Sequence, residues 1–225
     1  MKTIRPNYVI LTPISAGGIR EMQFIEKIAR TCYKSEDRIT EDGESAKKML
    51  KMLIDKHHEA MLEHSQLSVL FTVDRGVSHE LVRHRIASFA QESTRYCNYS
   101  SDKFDNEINV IDIASGMSFD SKMRNLSPNA MLMIINEWYL AMNEAEGHYL
   151  KMIELGATPQ IARSVLPSST KTEIVVTANY REWRNVFKLR TPISAHPQMR
   201  QIMIPLLEDL QNRLPIIFDD IKIEE

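Results

Sequence analysis

Hydrophobic residues recur with a helical period in five segments of the chain and form short strand-like runs in four others. Apolar positions at helical spacing predict helices over residues 19–33, 45–57, 130–155, 181–189 and 196–218, the last one broken near Pro205 and Pro215. Short β-branched or alternating runs predict strands over residues 8–11, 67–73, 107–113 and 172–178. Because helices and strands do not alternate regularly, the pattern predicts an α+β fold, with a small mixed or antiparallel sheet flanked by helices.

The remaining segments carry weaker signals. Residues 76–82 are typical of a short helix, and a further short helix begins near Pro159 and ends at residues 166–167. Residues 88–104 are polar and aperiodic, which predicts an irregular loop. No repeat and no Pro/Gly/Ser-rich linker divides the chain, so we expect one domain over residues 1–225.

Composition excludes several classes of protein. Hydrophobic residues make up 43% of the chain and charged residues 26%, as in ordinary globular domains, and the net charge of −2 gives no attraction to nucleic acid or anionic membrane. No apolar run approaches the roughly 20 residues of a membrane span, and the N-terminal segment does not resemble a signal peptide. We therefore expect a cytoplasmic protein. Cys32 and Cys97 are too few for a disulfide framework, and we expect both to be packing residues.

Glycine-rich phosphate loops and metal motifs are missing from the sequence. It contains neither GxGxxG nor GxxxxGK[ST], so any bound nucleotide has to be held by side chains. The His-rich stretch over residues 57–64 comes close to a zinc motif. However, HExxH beginning at His58 needs a histidine where Leu62 stands, and HxxEH ending at His64 needs one where Ala60 stands. We expect no metal and interpret this stretch as the link from a helix to a strand.

A basic cluster is the first candidate for chemistry. Arg83, His84 and Arg85 are consecutive, and Ser93 and Arg95 follow shortly after them. Charges of one sign at this density favour an anionic ligand such as a nucleotide, because arginine matches the geometry of phosphate. The alternative is a solvated basic helix end, and the cluster alone does not separate the two interpretations.

A second group of polar residues lies towards the C-terminus. Asn179 stands at the end of a predicted strand, where ligand-binding groups are often displayed, and Arg181 and Asn185 share one face of the helix that follows. The same group includes Arg163, Arg190 and His196. On that helix Arg184 and Lys188 are interpreted as solvated residues.

Five segments in this order give the chain a family resemblance. They are residues 29–33, residues 58–64, the Arg-His-Arg motif followed by seven residues and Ser93, residues 162–167, and residues 179–196. In these motifs the chain resembles the flavin-dependent thymidylate synthases. The resemblance covers most of the chain.

The resemblance implies a homotetramer in which FAD lies between subunits and each active site is shared. FAD would be bound by Arg83, His84, Arg85, Gln91, Asn179, Arg181, Asn185 and His196. The substrate dUMP would be bound by Arg83, Gln91, Glu92, Ser93, Thr94, Arg95, Arg163 and Arg190. No nucleic acid and no membrane is implied as a partner.

The reaction that the resemblance implies is the reductive methylation of dUMP to dTMP. Methylenetetrahydrofolate donates the one-carbon unit, FAD reduced by NADPH takes part in the transfer, and tetrahydrofolate is released. Arg190 would polarise the uracil ring in place of a cysteine nucleophile, and Ser93 would act as a ligand.

The chain departs from the family pattern at three positions. Gln91 stands where many members have a different polar residue, Glu80 where glutamine is common, and Ala60 where some members have a hydroxyl residue. Two other functions compete with the enzyme. A nucleotide-binding module would use the same arginines without flavin, and a metal hydrolase would use His57, His58, Glu63 and His64.

Overall fold

The computed structural model describes residues 1–100 and 106–224. Within them the strands are β1 (Lys2–Ile4), β2 (Asn7–Ile10), β3 (Gln66–Asp74), β4 (Ala87–Gln91), β5 (Asn109–Ile111) and β6 (Lys171–Asn179). The helices are α1 (Ile19–Tyr33), α2 (Glu44–Asp55), α3 (Arg75–Leu81), α4 (Ala114–Met117), α5 (Pro128–Glu154), α6 (Pro159–Ala162), α7 (Tyr180–Arg190) and α8 (Pro197–Arg213).

The strands form two small sheets. β1 and β5 pair in parallel, with Lys2 opposite Asn109 and Ile4 opposite Ile111. The other strands form a four-stranded sheet in the order β2-β3-β6-β4. The prediction of an α+β fold with a small sheet and flanking helices is confirmed.

The chain divides into two compact units, and these four strands contribute residues to both. The first unit comprises Met1–Tyr8, Leu70–Arg83 and Phe89–Val175, and the second comprises Val9–Val69, His84–Ser88 and Val176–Glu225.

The core of the first unit forms on the long helix α5. Ser127 caps this helix by accepting a hydrogen bond from the Ala130 N–H, and Pro128 at its first position has a backbone angle that suits a helix start. From the helix, Tyr149 meets the ring of Tyr99 edge to face at 5.7 Å. Both tyrosines are buried, so each contributes on the order of 1.5–3 kcal/mol through area removed from water.

The core of the second unit forms around α7. The rings of Trp183 and Phe187 stack at 5.7 Å, and Phe187 meets Phe218 edge to face. The indole N–H of Trp183 donates to the Leu67 carbonyl oxygen, so the one polar atom of this large side chain is satisfied where it is buried. Gly43, with φ +77°, precedes α2, and a Cβ there would overlap Ile19, so only glycine suits this position.

Most predicted elements are confirmed, and two predictions are wrong. Residues 87–91 form β4 and not an irregular loop; their burial alternates residue by residue, but small and polar side chains hide the period in the sequence. α8 continues through Pro205 and ends at Arg213, before Pro215. Burial of Leu206, Leu207 and Leu210 offsets the roughly 3 kcal/mol cost of an internal proline. The predicted loop also includes residues 101–105, which lie outside the described residues.

Among the described helices, none combines the length and the apolar character that crossing a membrane requires.

Candidate active site

The second unit contains a cavity of about 460 Å³ at the end of β6, which we call the Asn179 cavity. It is lined by Glu59, Glu63, Ile86, Asn179, Arg181, Glu182, Asn185 and Lys188. Asn179 is the last residue of the strand, and its side-chain Oδ1 accepts a hydrogen bond of 2.8 Å from the Glu182 N–H, which caps α7. The strand end and the first turns of the helix thus bring together Asn179, Arg181 and Asn185, as their spacing predicts.

Carboxylates neutralise the positive charges of this cavity. Arg181 is ion-paired with Glu63, and the Lys188 ammonium lies 3.9 Å from Glu59. Two cations and three carboxylates line the cavity, so within this chain it has no excess of positive charge. An anionic group entering it has to displace such a pair or bring other cations with it.

A hydrogen-bonded row connects α7 to the Arg-His-Arg motif. The Arg190 Nε–H donates to His84 Nε2 over 3.0 Å, and His84 Nδ1 lies 3.2 Å from Glu182 Oε1. Since a guanidinium only donates, Nε2 must be the acceptor and Nδ1 must carry the proton that it donates to Glu182. Glu182 also accepts from the Asn185 amide at 3.3 Å.

His84 is uncharged in this arrangement, and its surroundings explain why. The side chain is 6% exposed, and burial is the main cause that lowers its pKa; the positive charge of Arg190 lowers it further, while Glu182 acts in the opposite direction. His84 is therefore a buried neutral link between two residues and adds no charge to the basic cluster. Arg83 and Arg85 on either side of it are exposed.

Arg184 departs from its interpretation as a solvated residue. It is 1% exposed and forms a bidentate ion pair with Asp220 at 2.6 and 2.7 Å, a 3.0 Å bond to Glu59 Oε1, and a hydrogen bond to the Ile217 carbonyl. Burial alone would lower its pKa, but the two carboxylates outweigh burial and raise it. Arg184 thus holds Glu59 at the wall of the Asn179 cavity. Lys188 is exposed, as predicted.

The neighbouring residues of the second unit include Arg85 and His196. Arg85 lines a smaller cavity of about 440 Å³ beside β6, together with Gln66, Ser88 and Thr177. His196 stands at the start of α8, where its carbonyl accepts from the Arg200 N–H. His58 and His64 are exposed, and no group of three or more metal-binding side chains occurs within residues 1–100 and 106–224.

The first unit contains its own cavity of about 460 Å³, which we call the Thr94 cavity. It is lined by Arg75, His79, Thr94, Gln160, Arg163, Ser164, Leu166, Pro167, Ser168 and Thr170. Arg163 donates from Nη1 to Thr94 Oγ1 at 3.2 Å. Two arginines face this cavity and its lining residues include no carboxylate, so it has the charge that a phosphate group requires.

The segment from Gln91 to Arg95 borders this cavity, and internal contacts fix it. The Gln91 amide donates to Ser78 Oγ and Thr172 Oγ1, and the Glu92 carboxylate accepts from Lys171 at 3.0 Å and from the Tyr99 hydroxyl at 3.2 Å. The side chains of Gln91 and Glu92 thus fix the conformation of this segment. Their roles as direct ligands stay predictions.

Three further predicted residues have more freedom. Ser93 Oγ accepts from the Arg95 N–H, while the exposed Arg95 side chain contacts Gln160 and lies over the ring of Tyr96. Arg83 is exposed at the end of the first unit and lines neither the Thr94 cavity nor the Asn179 cavity. The structure thus brings Thr94 and Arg163 together and leaves Arg83 outside both cavities.

Arg75 and His79 are cavity residues that the sequence analysis missed. Arg75 directly follows Asp74, which ends β3 and caps α3 by accepting from the Val77 N–H. This strand end has the same form as the one at Asn179, so the rule that identified Asn179 would have pointed to Asp74 and to its direct neighbour Arg75. The packing role predicted for Cys32 is wrong because it is exposed, whereas Cys97 packs against the first core.

Comparison with known proteins decides the family. A family model described as thymidylate synthase complementing protein matches residues 19–216. The chain belongs to this family. A flavin-dependent thymidylate synthase of Corynebacterium efficiens is 31% identical to it over 89% of this chain and 79% of the relative, and one of Mycobacterium tuberculosis is 28% identical over 88% and 79%. The prediction of an enzyme of this family is confirmed.

A solved structure shares the fold of this chain. The crystal structure of a UMP/dUMP methylase from Streptomyces cacaoi, bound with 5-Br dUMP, superposes with a TM-score of 0.79. The match covers 97% of this chain and 96% of the other at 21% sequence identity. At this identity the similarity concerns the fold.

Proposed function

We propose that the chain catalyses the reductive methylation of dUMP to dTMP as a flavin-dependent thymidylate synthase. The one-carbon donor is methylenetetrahydrofolate, which leaves as tetrahydrofolate, and the reductant is NADPH. The family, the names of its relatives and the two cavities support this reaction. We further propose a cytoplasmic homotetramer with shared active sites, built from a single domain.

The Thr94 cavity carries the proposal. A nucleoside monophosphate has a dianionic phosphate, and the cavity presents Arg75 and Arg163 with no opposing carboxylate in its lining. A phosphate bound there gains charge-assisted hydrogen bonds from arginines that Thr94 and the Glu92 carbonyl already orient. Ser93, Thr94 and Arg95 would complete the dUMP site.

Arg190 supplies the electrostatic part of the reaction. Attack by C5 of uracil on an electrophile requires negative charge to develop in the ring, and a fixed guanidinium favours that charge. Because His84 is neutral, the charge of Arg190 is not cancelled by its hydrogen-bond acceptor. We propose no cysteine nucleophile; neither Cys32 nor Cys97 lines the Asn179 cavity or the Thr94 cavity.

The residues of the Asn179 cavity fit the polar part of FAD. Asn179, Asn185 and Arg181 offer hydrogen-bond donors, and Arg181 becomes available when its exposed pair with Glu63 opens. Since this cavity lacks an excess of positive charge, we propose that the exposed Arg83 and Arg85 of a second copy complete the site. When bound, FAD reduced by NADPH supplies the reducing equivalents. We also propose His196 and Gln91 as FAD-binding residues, as the family resemblance implies.

The first experiment measures flavin and product in the purified protein. We expect the absorption spectrum of bound FAD, bleaching with NADPH and dUMP under anaerobic conditions, and dTMP as product when methylenetetrahydrofolate is added. UMP assayed in parallel tests the choice of nucleotide. A colourless protein that takes up no FAD would contradict the proposal and leave a nucleotide-binding module.

The Arg190→Ala variant tests the mechanism. It should retain FAD but lose dTMP formation by roughly 10²- to 10³-fold, as expected when a group that stabilises developing charge is removed. Arg213→Ala, which removes an exposed arginine paired with Asp209 on α8, is the matched control and should retain full activity. Full activity of Arg190→Ala would contradict the electrostatic role.

A further inference from the structure

Glu182 is a buried carboxylate for which the proposed reaction so far has no use. It lies on the first turn of α7 with 7% of its surface exposed, and its Oε1 accepts from His84 Nδ1. The opposite nitrogen of the same ring accepts from Arg190. The three side chains therefore form one row in which Glu182 is two contacts away from the guanidinium.

The direction of each hydrogen bond in this row follows from its two ends. The carboxylate only accepts and the guanidinium only donates, so both ends require the imidazole to be protonated at Nδ1 and unprotonated at Nε2. The hydrogen bond made by one ring nitrogen fixes the state of the other. An imidazole without an acceptor at Nδ1 would be free to turn or to change tautomer, and the acceptor for Arg190 would be lost.

We propose that Glu182 is a positioning residue for Arg190 and acts through the ring of His84. By accepting the Nδ1 proton it holds Nε2 towards the Arg190 Nε–H, and the long arginine side chain is thereby restricted before a substrate binds. The bond to His84 uses Nε and not the terminal nitrogens of the guanidinium. This inference rests on the proposed function, in which Arg190 acts on the pyrimidine.

Glu182 has two other contacts, which a purely structural role would use. Its N–H donates to Asn179 Oδ1, and its carboxylate accepts from the Asn185 amide. Neither contact reaches Arg190. The backbone contact remains in any substitution of Glu182, so the variants below leave the cap of α7 in place.

A crystal structure of Glu182→Ala tests the inference without any substrate. We expect Arg190 Nε to move away from His84 Nε2, or the Arg190 side chain to adopt several conformations. A contact that stays at 3.0 Å in this variant would overturn the proposal, whatever reaction the enzyme catalyses. If Glu182→Ala does not fold, Glu182→Leu replaces it, because leucine fills more of the buried space but offers no acceptor to the Nδ1 proton of His84.

A double-mutant cycle tests the role in catalysis. Glu182→Ala should lower kcat/KM for dUMP roughly 10- to 100-fold, since small displacements of a catalytic group have effects of this size. In the Arg190→Ala background the same substitution should change the rate less than twofold, because it acts through Arg190. Equal losses in both backgrounds would assign Glu182 an independent role and overturn the proposal.

Two matched variants complete the test. Glu182→Gln keeps an acceptor for the Nδ1 proton and should recover kcat/KM to within about threefold of the wild type. Glu154→Gln, at an exposed end of α5 in the first unit, should leave the rate unchanged. Wild-type protein that forms no dTMP would contradict the proposed function, and the crystal structures would then still decide the positioning role.

Discussion

The Asn179 cavity and the Thr94 cavity are alike in origin but opposite in charge. Each lies at the end of a long strand followed by a helix, and each helix is capped by the last residue of the strand, Asn179 or Asp74. The lining of the Asn179 cavity includes three carboxylates beside two cations, whereas the lining of the Thr94 cavity includes arginines and no carboxylate. One structural plan thus produces two cavities of different charge.

This difference shows how much of the charge for ligand binding a single chain supplies in each cavity. In the Thr94 cavity, two arginines of a single chain supply the positive charge that a phosphate group requires. In the Asn179 cavity the cations are already paired, so an anionic ligand needs additional positive charge. The charge balance of this cavity therefore supports the proposed sharing of active sites.

The largest effect is expected from Arg184→Met, which tests how strongly the Asn179 cavity depends on its buried ion pairs. The substitution removes a buried guanidinium from two carboxylates, of which Asp220 is half-exposed and Glu59 keeps Lys188 nearby, so we expect a loss of about 3 kcal/mol, the lower end of the range for breaking a buried pair. Urea unfolding should show a loss of this size and a lower Tm. Arg213→Ala, which removes an exposed pair, should change the free energy of unfolding by less than about 1 kcal/mol.

A pair of arginine variants should separate the ligands of the two cavities. Arg163→Ala should weaken dUMP binding about 10- to 100-fold, the value of a hydrogen bond to a charged group, and leave bound FAD unchanged. Arg181→Ala should weaken FAD binding by only about 3- to 10-fold, because Arg181 is exposed and already paired with Glu63. Calorimetric titration of each variant with dUMP and with FAD measures the two affinities. Equal effects of both variants on dUMP would contradict the assignment.

The smallest effect is a dependence of stability on pH that originates in the second unit. His84 has a lowered pKa in the folded protein, so between its ordinary value of 6.5 and its folded value the unfolded chain binds a proton that the folded chain does not. The contribution of His84 to the free energy of unfolding is complete above pH 6.5 and is lost as the pH falls through its pKa in the folded protein.

Unfolding measured at several pH values from 7.5 to 5 tests this sign. The free energy of unfolding should fall towards acid, and His84→Gln should reduce the slope. In the first unit burial lowers the pKa of Lys171, but its bonds to Glu173 and Glu92 outweigh burial and raise it, so this residue keeps its charge over the same range. A slope that is unchanged in His84→Gln would show that other groups cause it.

The sequence was sufficient for elements with a clear period. α1 and β6 agree with their predictions because their buried residues recur at the period of a helix and of a strand. β4 was missed because Ser88 and Ala90 give a weak contrast with their neighbours. The break expected at Pro205 is absent because the packing of α8 offsets the cost of the proline. Local sequence patterns do not report such tertiary packing, so the prediction failed there.

The sequence predicts many residues of the candidate site but not which of them contact one another. The spacing placed Arg181 and Asn185 on the correct helix, whereas Arg190, one residue beyond the predicted end at residue 189, is the last residue of α7. No pattern in the sequence shows that His84 lies between Arg190 and Glu182, because this contact joins residues 106 and 98 positions apart. The burial of Arg184 has the same origin, since its partner Asp220 follows the last helix.

The cap at Asn179 has a consequence for how this enzyme family can change its specificity. Its Oδ1 is already used by the backbone of α7, so the side chain faces the cavity with an amide nitrogen to donate. Aspartate, which performs the same cap at Asp74, would preserve the helix but present an acceptor to the ligand. Exchanging one nitrogen for one oxygen at this position would therefore reverse the preference between a ligand carbonyl and a ligand amino group without changing the fold.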